Sequence, residues 1–233
     1  MRKIAIIDDD KESRLTMKFK VEDAGFEPVL ITGAFGNDKA RLMDEIYKND
    51  VYGVISDHRL SPLKLASFYG ADLLADLYDQ KMPTILITQF LDEDADTTIR
   101  KFRDRLPSVI GRGDDHNDDL ISDLLTLSKN EIELGPRPDR KSHRALIRIY
   151  NLQDSIVSGV VEGVVTNWKS DTKIRFPIDM IPAQVRDTLL LQKKDITRIS
   201  AFVNIGANDS KEIFITDTHV LPSLEGVDIN EFC

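Results

Sequence analysis

"KIAIIDDDKESR", Lys3 to Arg14, climbs out of four apolar residues, Ile4-Ala5-Ile6-Ile7, directly into three carboxylates, Asp8, Asp9 and Asp10. A short apolar run flanked by charge has the pattern of a buried strand, and the residues after it have the pattern of a loop opening a helix. Three adjacent like charges repel one another, so the acids cost stability unless something cationic sits there. Two explanations stand side by side: the acids cap the next helix, or they hold a metal ion at the carboxyl end of the strand.

Working outward, the same strand-then-helix texture recurs. Strands are predicted at Lys3–Ile7, Glu27–Ile31, Val51–Ser56, Thr84–Thr88 and Ser108–Ile110. Helical patterns lie after them at Glu12–Ala24, Lys39–Asn49, Ala71–Gln80, Asp94–Leu106 and Asn117–Ile132. Most of these strands are short, rich in Val or Ile and show little alternation, as expected when helices cover both faces. Five strand–helix repeats predict an α/β domain built on a doubly wound five-stranded parallel sheet. Ligands of such sheets bind beyond the carboxyl ends of the strands, where Asp8 and Asp9 fall.

Leu134 to His143, "LGPRPDRKSH", holds two prolines and a glycine among charges and reads as a linker. It divides a first domain, residues 1–133, from a second, residues 144–233. In the second, β-branched and apolar runs appear at Ala145–Asn151, Ser155–Thr166, Lys173–Asp179, Ile196–Ile205 and Glu212–Thr218, with a helical pattern at Ala183–Gln192. Five strands with a helix between the third and fourth describe a small β-rich module, and an OB-like barrel is one fold with that order.

At 41% hydrophobic and 30% charged, the 233 residues have an ordinary globular composition. No apolar run reaches the roughly 18 residues of a membrane span. The apolar stretch after Arg2 and Lys3 is too short for a signal peptide. Cys233 is the one cysteine, so no disulfide can form within the chain. Together these point to a cytoplasmic setting. The net charge is −9. Residues 1–140 carry 20 basic and 28 acidic side chains, residues 141–233 carry 11 and 12. Neither half has the basic excess of a nucleic-acid binder, which argues against DNA or RNA as the default partner.

The strand ends collect a coherent set. Strand one ends at Asp8 and Asp9, strand three at Asp57 and strand four at Thr88, while strand five is followed by Arg112. A hard divalent ion such as Mg2+ prefers oxygen ligands and would relieve the repulsion among Asp8, Asp9 and Asp57. An aspartate can attack phosphorus to give an acyl phosphate, and a hydroxyl and a cation can bind the phosphoryl oxygens as charge develops.

On "IAIIDDDKESR", "YGVISDHRL", "GADLLADL" and "TILITQF", residues 1 to about 130 resemble a response-regulator receiver domain, a flavodoxin-like fold of two-component signal transduction. The resemblance implies that Asp8 and Asp9 bind Mg2+, with Asp57 as a further ligand. It implies that a histidine kinase or phosphotransfer protein phosphorylates Asp57 and that Thr88 senses the phosphoryl group. The strand content and near-neutral charge of the second module lead to a separate expectation, that it gives the output through protein–protein contact, with an effector or with another copy. Departures from the family pattern are clear. Arg112-Gly113 stands where a lysine is usual, commonly followed by proline; Val109 or Ile110 stands where an aromatic switch residue is usual. The loop from Asp57 to Gly70 is several residues longer, and Gln89 replaces a small residue. Arg112 keeps the charge of lysine but presents a planar fork.

Other readings remain: a pseudo-receiver that binds without chemistry, a nucleic-acid-binding regulator, and a Mg2+-dependent phosphatase using Asp8 and Asp10 as a nucleophilic pair. Asp10 fits a helix cap better than a ligand. His58 is expected as a partly exposed loop residue, and Arg59 as a neighbour able to influence the access of water to a phosphorylated Asp57. Asp114–Asp119 has the composition of a metal site but no EF-hand spacing, so an acidic helix start is expected. Trp168, Phe176 and Phe202 are expected in the core rather than as base-stacking platforms, and Cys233 is expected to be inert.

Overall fold

The computed structural model describes residues 1–114, 119–150, 158–184, 186–187 and 196–220. The first unit runs β1 (Lys3–Ile7), α1 (Lys11–Asp23), β2 (Glu27–Ile31), α2 (Lys39–Lys48), β3 (Gly53–Asp57), α3 (Gly70–Asp79), β4 (Thr84–Thr88), α4 (Leu91–Asp94), β5 (Val109–Gly111) and α5 (Leu120–Leu134). All five strands are parallel, in the order β2-β1-β3-β4-β5. The order reverses between β1 and β3, which marks the topological switch point where such sheets bind ligands.

Both faces of this sheet are covered. Leu42 and Ile46 of α2 and Leu73, Leu74 and Leu77 of α3 pack on one side. Met17 and Val21 of α1 and Ile121 and Leu125 of α5 pack on the other. Ile4, Ala5 and Ile7 are fully enclosed, which explains why β1 reads as a continuous apolar run rather than an alternation.

The second unit is an antiparallel sheet of β6 (His143–Tyr150), β7 (Val160–Val165), β8 (Ile174–Pro177), β9 (Ile196–Val203) and β10 (Ile215–Val220). Its order is β10-β9-β6-β7-β8, and it curls into a half-barrel. β6 alternates cleanly: Ala145, Ile147 and Ile149 are buried, while Arg144, Leu146 and Arg148 face out. Phe176 lies in the core and Trp168 packs against it, as expected. Phe202 is half-buried beneath the guanidinium of Arg144, 4.4 Å from the ring centre. Most of the expected helix Ala183–Gln192, and Cys233, lie outside the described residues.

The stretch expected as a linker holds a 3-10 turn, Pro138–Arg140, and a buried ion pair. Arg140 Nε lies 2.9 and 2.8 Å from the two carboxylate oxygens of Glu131, with both side chains almost wholly enclosed. Asn204, also buried, donates to the carbonyls of Asp139 and Glu212 and accepts from Phe214 N.

The predicted helix Asp94–Leu106 is absent. Instead α4 is a single turn, followed by a turn through Thr97 and Thr98 and a 3-10 helix over Arg100–Arg105. Two β-branched threonines in succession weaken the helix. The Asp94 carbonyl then accepts from Thr97 N at 3.2 Å and Ile99 N at 2.9 Å, replacing the regular ladder. Buried arginines on the 3-10 helix complete the departure by reaching into the second unit.

Candidate functional site

The carboxyl ends of β1, β3, β4 and β5 enclose a cleft of about 400 Å³ lined by Asp8, Asp9, Asp57, Arg59, Thr88 and Arg112, among others. Every residue predicted for the site thus lines one cavity. Local structure explains how each arrives. β1 ends at Ile7, and Asp10 caps α1 by accepting from Ser13 N at 2.7 Å, so Asp8 and Asp9 occupy the bend between strand and helix. That bond holds the half-buried Asp10 carboxyl below the usual range. Its role as the cap leaves little to the nucleophilic-pair reading.

Asp57 is fixed from behind by Gly70. A Cβ on Gly70 would lie 1.9 Å from the Asp57 carbonyl oxygen, so only glycine permits α3 to start there. The long loop between them is packed rather than loose: Leu60 and Leu65 are buried, Phe35 N donates to the Leu65 carbonyl at 2.7 Å, and Leu63 N donates to Asp9 Oδ2 at 2.6 Å.

One guanidinium nitrogen, Arg112 Nη2, lies 2.7 Å from Asp8 Oδ2 and 2.7 Å from Asp57 Oδ1. The backbone N–H groups of Asp10 and Arg59 donate to the remaining oxygens, at 2.9 Å to Asp8 Oδ1 and 2.7 Å to Asp57 Oδ2. Burial pushes the Asp57 carboxyl up to about 6, against the pull of Arg112. The donor set of three carboxylates, with hard oxygens and an excess of negative charge over Arg112, fits a hard divalent cation such as Mg2+. Among the described residues, no three acidic or imidazole groups already converge as a metal cage.

Thr88 is buried, its hydroxyl donating to Asp94 Oδ2 at 3.1 Å and accepting from Phe90 N at 3.1 Å. Arg59 leans away from Asp57: its Nε and Nη2 reach Asp94, Nη2 also reaches Glu93 at 3.2 Å, and the guanidinium lies 4.0 Å above the Phe90 ring. Asp94 escapes a reading of the sequence, because "LDEDAD" gives no sign of which acid turns inward.

His58 corrects an expectation. It is fully buried, stacked on Tyr69 with ring centres 4.8 Å apart, and its Nε2 lies 2.6 Å from Thr98 Oγ1. Burial lowers its imidazole to about 4, so it is neutral at pH 7. The flat apolar partner and the loop's inward turn explain why a histidine beside an exposed cleft is itself enclosed. Of the acidic cluster, Asp114 accepts from Gly111 N at 3.2 Å, and residues 115–118 lie outside the described residues. No helix among the described residues is long and apolar enough to cross a membrane.

No family model matches the sequence, and no curated protein matches it. A response regulator receiver domain protein from Clostridium thermocellum is 19% identical, with a TM-score of 0.44 over 57% of this chain and 98% of that one. The response regulator TrrA from Thermotoga maritima, solved in complex with Mg2+-BeF, is 14% identical, with a TM-score of 0.43 over 55% and 99%. A response regulator receiver protein from Pseudoalteromonas atlantica is 18% identical, with a TM-score of 0.40 over 55% and 97%. The strand order establishes the fold on its own: the first unit is a doubly wound, flavodoxin-like sheet of the kind receiver domains share.

Proposed function

We propose that the chain is a two-component response regulator whose first domain accepts a phosphoryl group on Asp57. The observation that carries this reading is the bridge from Arg112 to both Asp8 and Asp57, within one cleft that also holds Asp9 and Thr88. A carboxylate oxygen of Asp57 attacks the phosphorus of a phosphohistidine on a kinase or phosphotransfer protein. The new O–P bond forms as the P–N bond breaks, and the departing imidazole nitrogen takes up a proton from water. Arg112 and the Arg59 backbone N–H lie where they can bind phosphoryl oxygens as charge develops, and Thr88 offers a hydroxyl. Asp8, Asp9 and Asp57 would hold Mg2+, which supplies charge neutralisation for the phosphoryl oxygens. The second module is proposed as the output, through contact with an effector protein or another copy.

A second reading is favoured by the same bridge. Arg112 already neutralises Asp8 and Asp57, as a resident cation would, leaving a pseudo-receiver that binds partners without chemistry. Incubation with a small acyl-phosphate donor and Mg2+, followed by intact-mass measurement of the wild type and Asp57→Asn, separates the two. The phosphoryl reading expects a Mg2+-dependent gain of one phosphoryl group that the variant lacks. No gain in the wild type supports the pseudo-receiver.

A further inference from the structure

Three arginines are buried where the first unit meets the second, and two of them have acids of their own. Arg100 Nη2 lies 2.8 Å from Asp96 Oδ1, and Arg140 is paired with Glu131. Arg103, 7% exposed, has no carboxylate partner among the described residues. Its Nη1 donates to the Leu106 carbonyl and its Nε to the Lys211 carbonyl at 3.4 Å, which leaves Nη2 without an acceptor there. Burial and the charge of Arg140 draw the Arg103 guanidinium down to about 9, against the pull of Glu212. A buried cation without a counter-ion is costly, and more so beside two others.

Arg103 lines a cavity of about 250 Å³ between the two units. One wall is apolar and belongs to the first unit: Leu91, Ala95, Ile99 and Val109. The other wall is the 3-10 turn Ser210–Glu212 with Asp209, its cap. Arg100 holds that wall in place by donating to the carbonyls of Ser210, at 2.7 Å, and Ile213. Lys211 is taken up by an ion pair with Asp92. Asp209 Oδ1 accepts from Lys211 N at 2.8 Å. Glu212 Oε2 accepts from Asn208 N at 3.2 Å and Asp209 N at 3.3 Å. Each of these two carboxylates keeps its other oxygen unengaged among the described residues. No residue of this cavity lines the cleft at Asp57.

Each part of the cavity selects a feature of a ligand. Apolar walls take a short hydrocarbon chain. Arg103 Nη2 takes a carboxylate through a charge-assisted hydrogen bond. The acids opposite repel a simple anion and attract an ammonium group carried on the same molecule. The volume lies below the roughly 300–1,000 Å³ of sites for drug-sized ligands, which limits the occupant to a small metabolite. We infer that this cavity binds a free aliphatic α-amino acid, its carboxylate on Arg103, its ammonium on Asp209 and Glu212, and its side chain against Leu91, Ile99 and Val109. Such a ligand gives Arg103 the counter-charge that the chain withholds. Because its walls come from both units, binding also stabilises their docking.

Calorimetric titration of the full-length protein with L-leucine tests the site against two truncated analogues, isocaproate, which lacks the ammonium, and isoamylamine, which lacks the carboxylate. Leucine should bind about tenfold more tightly than either, because each analogue leaves a charge of the cavity unpaired. Asp209→Asn keeps an oxygen to cap the turn and loses the charge, so it should weaken leucine about tenfold without weakening isocaproate. Arg103→Met should abolish leucine binding. If that variant fails to fold, Leu91→Trp fills the cavity from a partly exposed position and should abolish binding with the circular dichroism unchanged. No heat from leucine, isoleucine or valine at millimolar concentration overturns the inference. Isocaproate bound as tightly as leucine overturns the amino-acid assignment. Leucine binding that survives Leu91→Trp places the ligand elsewhere and overturns the site.

Discussion

Arg112 Nη2 stands 2.7 Å from Asp57 Oδ1 at the carboxyl edge of the parallel sheet, and the same nitrogen holds Asp8 at 2.7 Å. A lysine would offer a compact ammonium here, whereas arginine's planar fork is always charged. This cation both serves and competes: it can receive phosphoryl oxygens, and it occupies space that a metal ion would share. Arg112→Ala should therefore tighten Mg2+ binding while slowing phosphorylation by acyl phosphate about 10- to 100-fold. Mg2+ titration and the rate of phosphoryl gain by mass measure the two effects separately. Mg2+ binding weakened by the substitution would contradict this division of roles.

Gly70 tests how Asp57 is placed. The Asp57 carbonyl oxygen lies 1.9 Å from where a Cβ would stand, so Gly70→Ala must push α3 off the end of β3. Overpacking of this kind costs about 1–3 kcal/mol, which denaturant unfolding would show as a lower midpoint with an unchanged slope. Phosphorylation should fall as well, since Asp57 moves with the strand end.

The Arg140–Glu131 pair ties the segment between the two sheets to α5. Removing one partner leaves the other charge buried and alone, so Arg140→Met should destabilise the fold by about 3–5 kcal/mol. Adding Glu131→Leu to that variant should recover most of the loss. Equal instability of the single and double variants would show that the pair does not act as a unit.

Alkaline stability should depend on Tyr78, whose phenol burial pushes up to about 12 with Glu131 beside it. A folded-state value above the ordinary 10 means that the neutral phenol is favoured by folding. That contribution is complete below about pH 10 and disappears as pH rises toward 12. Melting temperatures of the wild type and Tyr78→Phe should therefore draw closer between about pH 10 and 12. A constant difference across that window would argue against it.

Much of the first domain was legible because its physics is local. Ile4-Ala5-Ile6-Ile7 announces a strand covered on both faces, and Asp8, Asp57 and Thr88 declare themselves by standing at strand ends. Arg112 was legible as a charge after β5, though its position between two carboxylates needed the sheet order. What the sequence hid depends on partners far along the chain. Arg59 and Asp94 are 35 residues apart, and nothing in an acid-rich stretch marks one acid as buried. Arg100 and Arg103 look like surface charges on a helix until the carbonyls of the second module appear beside them. His58 was misjudged for the same reason, since its cover comes from Tyr69 and Thr98.

The central claim, phosphoryl acceptance by Asp57, is tested most directly by trapping the bond. Protein treated with acyl phosphate and Mg2+ would be reduced with borohydride, which converts an aspartyl phosphate to homoserine, and then mapped by peptide mass spectrometry. Conversion at Asp57 alone, dependent on Mg2+ and absent from Asp57→Asn, is the expected result. Conversion only at Asp8 or Asp9, or none in the wild type, would contradict the account.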